Sequence, residues 1–272
     1  MQGKNVLHQL RQQTAAQMMS YIIETASGKI IVIDGGWAAD ADNLMETLQS
    51  IAGRPRYDAW LLTHAHSDHF EGFYTIHTKY RTEIEGGKIY FNFVSSAFEK
   101  KYNGGIDASA ARMEALLPTL RGRAVRIREG DAFLVGEARF DVLHSPRPER
   151  HNDPLNNSSV VYRMRLGGKT VLFPGDLGID ESIRAAIKYG PGLKSDYVEM
   201  AHHGQNGAGE AFYRAVSPDV CLWDTPLWLW RNDSGQGYNT NNWDTINMYR
   251  LMDRLGVQRH YVMKDGPHDI LL

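Results

Sequence analysis

The chain has 272 residues, of which 42% are hydrophobic and 23% are charged, and its formal net charge is −2. This length and composition predict a soluble globular protein. Because no global basic field exists, tight binding to nucleic acid is not expected. The single cysteine, Cys221, is predicted to be a core residue, and no intrachain disulfide can form.

The amino-terminal segment Met1–Ser20 is polar and does not have the pattern of a signal peptide. No apolar run approaches the roughly 20 residues that a membrane-spanning helix needs. A cytoplasmic protein with no membrane association is therefore expected, with a small molecule as its substrate.

In chain order, Ser20–Thr25 and Lys29–Ile33 predict a β-hairpin, and Asp34-Gly35-Gly36 ends its second strand. Further strands are predicted at Asp58–Thr63, Lys88–Val94, Val125–Ile127, Arg139–Leu143, Ser158–Leu166, Lys169–Phe173, Tyr197–Met200 and Asp219–Trp223. Helices are predicted at Asp42–Ala52, in a segment through Tyr80, at Ala108–Leu120 and Glu181–Tyr189, after Gly209 and at Trp243–Leu255. This alternation predicts an α/β fold in one domain, residues 1–272: a four-layer αββα sandwich of two mixed β-sheets with helices outside.

Four side chains that can bind metal follow a predicted buried strand within six residues: His64, His66, Asp68 and His69. Side chains alternate along a strand, so His64 and His66 project to the same side. Asp68 and His69 then face a second position in the following turn. Imidazole and carboxylate ligands fit zinc, with manganese or iron as alternatives.

This His-x-His-x-Asp-His pattern resembles the defining motif of the metallo-β-lactamase superfamily. The resemblance implies two divalent metal ions, with Asp34 supporting the ligand loop and Asp176 of Gly175-Asp176 bridging both ions. It also implies a late histidine ligand in Ala201-His202-His203-Gly204, for which His202 is preferred. His203 would then donate a proton. Asp34 as an ordinary turn residue and Asp176 as a helix cap are the alternatives.

The segment Val142–His151 departs from the family pattern, because it has no Gly-His pair for the third ligand of the first metal. His151 is the preferred replacement, and His144 and Asn157 are alternatives. The segment around Asn157, with Gly-Asp and His-His-Gly, resembles one branch of the family. That branch includes the hydrolase domains of bacterial DNA-uptake channels and the phosphorylcholine esterases.

The resemblance implies a metal-dependent hydrolase in which Asp68 orients the attacking water. The branch favours a phosphodiester or another small ester as substrate. A lactonase or β-lactamase-like acyl hydrolase is the second possibility, and a catalytically silent metal-binding module is the third.

The Trp223–Trp230 segment is interpreted as a core or oligomer contact, with a substrate wall as the alternative. His268 is interpreted as a surface residue.

Overall fold

A computed structural model describes residues 3–104, 107–147, 149 and 152–272. Its strands are β1 Val6–Gln9, β2 Ser20–Glu24, β3 Ile30–Asp34, β4 Arg56–Leu61, β5 Glu85–Phe91, β6 Ala124–Arg126, β7 Ala132–Val135, β8 Ala138–His144, β9 Val161–Leu166, β10 Lys169–Phe173, β11 Tyr197–Glu199, β12 Val220–Trp223, β13 Arg259–Val262 and β14 His268–Leu271. Its α-helices are α1 Ala41–Ala52, α2 Ser67–Lys79, α3 Ser96–Asn103, α4 Ser109–Leu116, α5 Ile179–Tyr189, α6 Glu210–Val216, α7 Leu227–Trp230 and α8 Thr245–Arg254.

The strands form two seven-stranded sheets, ordered β14-β1-β2-β3-β4-β5-β6 and β13-β12-β11-β10-β9-β8-β7. In the first sheet β3 to β6 are parallel, and in the second β10 to β13 are parallel. The remaining neighbours pair antiparallel. Both sheets are therefore mixed, as predicted.

Three buried layers confirm the four-layer sandwich. Strand β3 shows how its sequence creates two of them, because alternate side chains point to opposite faces. Ile31 and Ile33 join the core between the two sheets, whereas Ile30 and Val32 pack against the helices α1, α2 and α4. A third core lies between the second sheet and the helices α5, α6 and α8.

Several predicted boundaries differ from the structure by a few residues, and two of these differences have a local cause. The helix predicted at Ala108–Leu120 ends at Leu116 and continues as a 3₁₀ turn, because Pro118 lacks the N–H that an α-helix would use. The strand predicted from Ser158 begins only at Val161. Before it, the Val160 N–H donates to the carbonyl of Thr63, 2.9 Å away, and so ties this segment to the end of β4.

Several short elements have no counterpart in the sequence prediction: β1, β7, β13, β14, α3 and α7.

In the part of the chain that the structure describes, no helix is long and apolar enough to cross a bilayer. The loops that matter for function leave the carboxyl ends of the parallel strands in both sheets. The two sheets thus bring together residues that follow β3, β4, β10, β11 and β12.

Candidate metal centre

Asp34 contacts the loop that carries the candidate metal ligands His64 to His69. It is fully buried and has a φ of 51°, a left-handed conformation uncommon for a residue with a side chain. Its carboxylate accepts hydrogen bonds from the main-chain N–H and the hydroxyl of Thr63, at 2.8 and 2.6 Å. It also lies 2.7 Å from Nδ1 of His69. A proton on Nδ1 leaves His69 Nε2 free to face the centre, which matches the predicted supporting role.

His64 and His66 lie together at the end of β4. His64 Nε2 is 3.0 Å from His66 Nδ1 and 3.6 Å from Oδ2 of Asp176. On the far side of the ring, His66 Nε2 lies 3.9 Å from Oδ2 of Asp107. Asp107 also accepts a hydrogen bond from the Ser67 hydroxyl at 2.8 Å. Asp107 therefore borders the outer edge of His66, and the sequence prediction did not include it.

Two groups of buried side chains bring donor atoms within 4.8 Å of one another: His64 with His69 and Asp176, and Asp68 with His69 and His203. In the first group, His69 Nε2 lies 3.1 Å from Asp176 Oδ1. In the second, His203 Nε2 lies 3.2 Å from Asp68 Oδ2. The two groups share His69, so the structure assembles one continuous centre.

The donor atoms at this centre fit metal ions. Three of them, His69 Nε2, Asp176 Oδ1 and His203 Nε2, are buried and make no well-aligned hydrogen bond among the described residues, although each lies within 3.2 Å of another polar atom of the centre. Leaving such atoms unpaired costs free energy, and a bound cation would satisfy the carboxylate oxygen and the imidazole lone pairs together. Nitrogen and carboxylate donors are those that zinc takes, with manganese and iron as further possibilities.

The adjacent residues His202 and His203 differ in exposure and in the groups they face. Both have positive φ angles, 55° for His202 and 56° for His203, so the chain turns sharply at this point. The turn aims His203 into the group with Asp68 and His69. The side chain of His202 is 21% exposed, and its Nε2 lies 3.7 Å from Asp176 Oδ2. The geometry thus favours His203 as the ligand, whereas the sequence analysis preferred His202.

The third ligand of the first metal was expected at His151, His144 or Asn157. His151 lies outside the described residues. His144 turns away from the centre, because its Nδ1 donates to the Ser159 carbonyl at 2.6 Å and its Nε2 lies 3.1 Å from Glu181. Asn157 donates through Nδ2 to the carbonyl of Asn152 at 2.8 Å, and its Oδ1 has no hydrogen-bond partner among the described residues. Both nitrogens of His144 are therefore engaged elsewhere.

Burial and mutual charge shape the electrostatics of the centre. Burial, followed by the neighbouring His69, holds the pKa of His64 well below its ordinary value. For Asp176, burial raises the pKa, but the surrounding histidines outweigh it and hold the pKa well below the usual range. A neutral His64 beside an ionised Asp176 is the protonation state that metal binding requires.

A second buried polar layer lies beneath the centre and was not predicted. The carboxylate of Glu199 accepts a hydrogen bond from the Gly175 N–H at 3.0 Å. Asp224 accepts from the hydroxyl of Tyr21 at 2.7 Å and from Gln9 at 3.0 Å, and its carbonyl lies 3.1 Å from Nδ1 of His203. Burial raises the pKa of Asp224 to about 6. The sequence did offer a signal for Asp224, because this carboxylate directly follows the buried strand β12.

The Trp223–Trp230 segment divides into a core part and a rim part. Trp223 is fully buried and meets Trp230 edge to face at 5.2 Å. Trp228 instead contacts Trp243 at 4.9 Å and donates to the carbonyl of Ala15 at 2.7 Å, on the exposed side. The part of the segment around Trp223 therefore fits the interpretation as a core contact.

Cys221 and His268, which the sequence also brought into question, belong to neither donor group. Cys221 is a buried core residue, as predicted, and burial raises the pKa of its thiol. His268 is half-buried, and its Nε2 donates to the Val262 carbonyl at 3.0 Å. It lies outside both donor groups.

The chain is similar in sequence to parts of two known proteins. The chain is 30% identical over 210 residues to competence protein ComA of Neisseria gonorrhoeae and 30% identical over 175 residues to ComE operon protein 3 of Bacillus subtilis (strain 168). These alignments cover 76% and 62% of this chain but only 26% and 20% of the relatives, so the chain spans about a quarter or less of their length.

Two solved structures share the fold. The metallo-beta-lactamase fold protein YhfI of Bacillus subtilis matches with a TM-score of 0.56 at 10% identity, over 98% of this chain and 100% of its own. CmlA, a diiron beta-hydroxylase of Streptomyces venezuelae, matches with a TM-score of 0.58 at 13% identity, over 99% and 54%. The family model of the metallo-beta-lactamase superfamily matches residues 14–210. The chain belongs to the metallo-beta-lactamase superfamily.

Proposed function

We propose that the protein is a binuclear-metal-dependent hydrolase of a phosphodiester or another small ester. The observation that carries this proposal is the pair of adjoining donor groups with buried, unpartnered atoms. A structural role alone would favour donor atoms satisfied by hydrogen bonds within the protein.

The ligands divide between the two sides of the Asp176 carboxylate. His64 and His66 would hold one ion, on the side of Oδ2, which lies 3.6 Å from His64 Nε2. Asp68, His69 and His203 would hold the other, on the side of Oδ1, which lies 3.1 Å from His69 Nε2 and 3.8 Å from His203 Nε2. Asp176 therefore presents one oxygen to each half and is suited to bridging.

When bound, the ions would lower the pKa of a water molecule towards neutrality and polarise the ester oxygen. Asp68 would accept a hydrogen bond from that water and so orient it for attack. The side-chain amide of Gln17 donates to Asp68 Oδ2 at 3.3 Å and helps to hold this carboxylate in place. His202, which is the more exposed of the two late histidines, would protonate the leaving group.

The preference for a phosphodiester rests on the branch that the sequence resembles. The 30% identity to two competence proteins supports that branch assignment. The solved structures support the fold, and they do not distinguish among the reactions of the superfamily.

The reaction is tested by assaying zinc-, manganese- and iron-loaded protein against bis(p-nitrophenyl) phosphate, a lactone and a β-lactam. We expect turnover of the phosphodiester. Turnover of the lactone or β-lactam alone would replace this proposal with an acyl hydrolase. Metal binding with no turnover of any ester would point to a catalytically silent module.

The roles of the two histidines are tested by replacing each with glutamine. We expect His202→Gln to keep its metal and to lose about 10²-fold in kcat, the usual contribution of a general acid. We expect His203→Gln to lose metal as well as activity. Normal metal content in His203→Gln, together with metal loss in His202→Gln, would restore the reverse assignment.

A further inference from the structure

A cationic cavity lies near the amino ends of the parallel strands in the first sheet, whereas the metal centre lies at their carboxyl ends. It has a volume of about 400 Å³ and is lined by Arg81, Thr82, Ile84, Gly86, Thr119, Arg121 and Arg123. Gly86 pairs with Tyr57 near the start of β4, whereas the metal-binding motif follows the end of that strand. The cavity is therefore separate from the centre described above.

A chain of hydrogen bonds holds one of the three arginines in place. Burial lowers the pKa of His77 to about 4, so its ring is neutral, and its Nδ1 donates to the carbonyl of Phe73 at 2.8 Å. His77 Nε2 therefore accepts the Tyr57 hydroxyl proton across 2.7 Å. Arg123 in turn donates to the Tyr57 oxygen at 3.0 Å and to the carbonyl of Leu120 at 3.2 Å.

The backbone of β5 makes room for this arrangement. A Cβ atom at residue 86 would lie 2.1 Å from Nη1 of Arg123 and 2.4 Å from the Tyr57 hydroxyl. Glycine at position 86 thus lets the guanidinium settle over the strand. The arginine is pre-positioned, and less side-chain entropy would be lost when a ligand binds.

The charge in the cavity is not neutralised by the protein. The described residues that line it include no carboxylate. Within the described residues, Arg81, Arg121 and Arg123 make no ion pair, and the acceptors that hold Arg123 are neutral. The nearby Glu85 instead pairs with Arg54 at 3.0 Å. Three arginines that make no ion pair within the described residues thus line one cavity of a protein whose net charge is −2.

We propose that this cavity binds the phosphate group of a small phosphorylated molecule. Guanidinium groups match the oxygens of a phosphate in a bidentate manner, and such charge-assisted hydrogen bonds are among the strong ones. The hydroxyl of Thr82 supplies a further polar group at the rim. The volume lies in the range of small-molecule pockets and exceeds what a single phosphate fills, so the ligand would carry an organic part beyond the phosphate.

Titration calorimetry with ATP and with inorganic pyrophosphate tests the proposal. Because both probes can also bind metal ions, wild-type protein is compared with the double variant Arg81→Gln/Arg121→Gln, which leaves the metal centre intact. Both side chains are exposed, so the fold should tolerate the change, and thermal unfolding verifies this. Arg54→Gln is the matched control, because it removes a nearby positive charge outside the cavity.

We expect the double variant to bind ATP at least about tenfold more weakly than wild type, as the loss of charged hydrogen bonds implies. The control should bind as wild type does. Equal affinity in the double variant and wild type would overturn the proposal. An absence of ATP and pyrophosphate binding to the wild type would also overturn it, and tight binding of a single-stranded oligonucleotide in that case would assign the arginines to nucleic acid.

Discussion

Two buried histidine clusters in this protein differ in how their polar atoms are satisfied. At the metal centre, the Nε2 atoms of His69 and His203 face carboxylate oxygens at 3.1 and 3.2 Å but make no well-aligned hydrogen bond among the described residues. In a second cluster, which we call the closed cluster, His144 contacts Glu181, Glu181 contacts Arg184, and Arg184 contacts Glu129. Both ring nitrogens of its histidine have partners within the protein.

The difference explains why burial alone does not identify a metal ligand. His144 and His69 are equally buried, with no measurable exposure. What separates them is an arginine: Arg184 lies 2.6 Å from Glu181 and supplies the positive charge that the carboxylate needs. Among the described residues, the carboxylates of Asp68 and Asp176 pair only with histidines and with no arginine or lysine, so a bound cation could take the place that Arg184 has in the closed cluster.

The largest effect is expected from Asp176→Asn. The substitution removes the charge that faces both halves of the centre, and the loss of metal-based transition-state stabilisation, several kcal/mol, would lower kcat/KM by about 10³-fold or more. Metal analysis and kinetics check this result. Asp265→Asn, at an exposed aspartate, is the control. Full metal content with full activity in Asp176→Asn would contradict the proposed bridge.

His144→Ala should lower stability without loss of metal, because it breaks the closed cluster and leaves the metal centre intact. We expect the free energy of unfolding to fall by about 2–4 kcal/mol, since a buried carboxylate loses a partner while Arg184 remains. Metal content should stay at the wild-type level. Urea unfolding and metal analysis measure the two quantities.

The comparison variant for His144→Ala is His8→Ala, whose partner Asp269 is exposed. This change should cost less than His144→Ala does, because water can solvate the exposed Asp269 carboxylate once its partner is removed. A loss of metal in His144→Ala would mean that the closed cluster is part of the metal centre after all.

Asp34→Asn probes the support beneath the metal centre. The asparagine keeps the shape of the side chain but accepts the His69 proton less strongly, so metal affinity should fall about 10- to 100-fold. Competition with a metal chelator measures the affinity. If it is unchanged, Asp34 acts only as a turn residue.

The smallest effect is expected from Glu129→Gln, at the outer end of the closed cluster. Burial raises the pKa of Glu129, but hydrogen bonds from Lys188 and Arg184 outweigh it and lower the pKa to about 2. A lowered pKa stabilises the folded state above the ordinary value of 4.5, and this contribution disappears as the pH falls towards 2.

Wild type should therefore exceed Glu129→Gln in the free energy of unfolding by roughly 1 kcal/mol at neutral pH, the scale of a partly exposed ion-pair network. The difference should shrink as the pH falls below 4.5. Urea titrations across the acid range measure it. A constant difference would show that the Glu129 charge is not responsible.

The sequence by itself determined the parts of the protein that local spacing encodes. The predicted strands Ser158–Leu166 and Lys169–Phe173 are found as β9 and β10, which pair across the short turn at Gly167 and Gly168, and the side chains of β3 alternate between its two buried faces. The prediction of two mixed sheets is also confirmed. The individual strands are encoded locally, where steric limits on the backbone leave few alternatives, whereas the two mixed sheets follow from the order of strands and helices along the chain.

Only the tertiary structure decided how distant segments meet. The pairing of β1 with β14 joins two short strands from the ends of the chain, and neither shows a strong pattern alone. The orientation of His144 depends on Glu181, which lies 37 residues further along. The choice between His202 and His203 depends on a turn that brings His203 close to Asp68 and Asp176, which are carried by two different loops. Side-chain direction at these places is set by non-local packing and charge, which residue spacing does not encode.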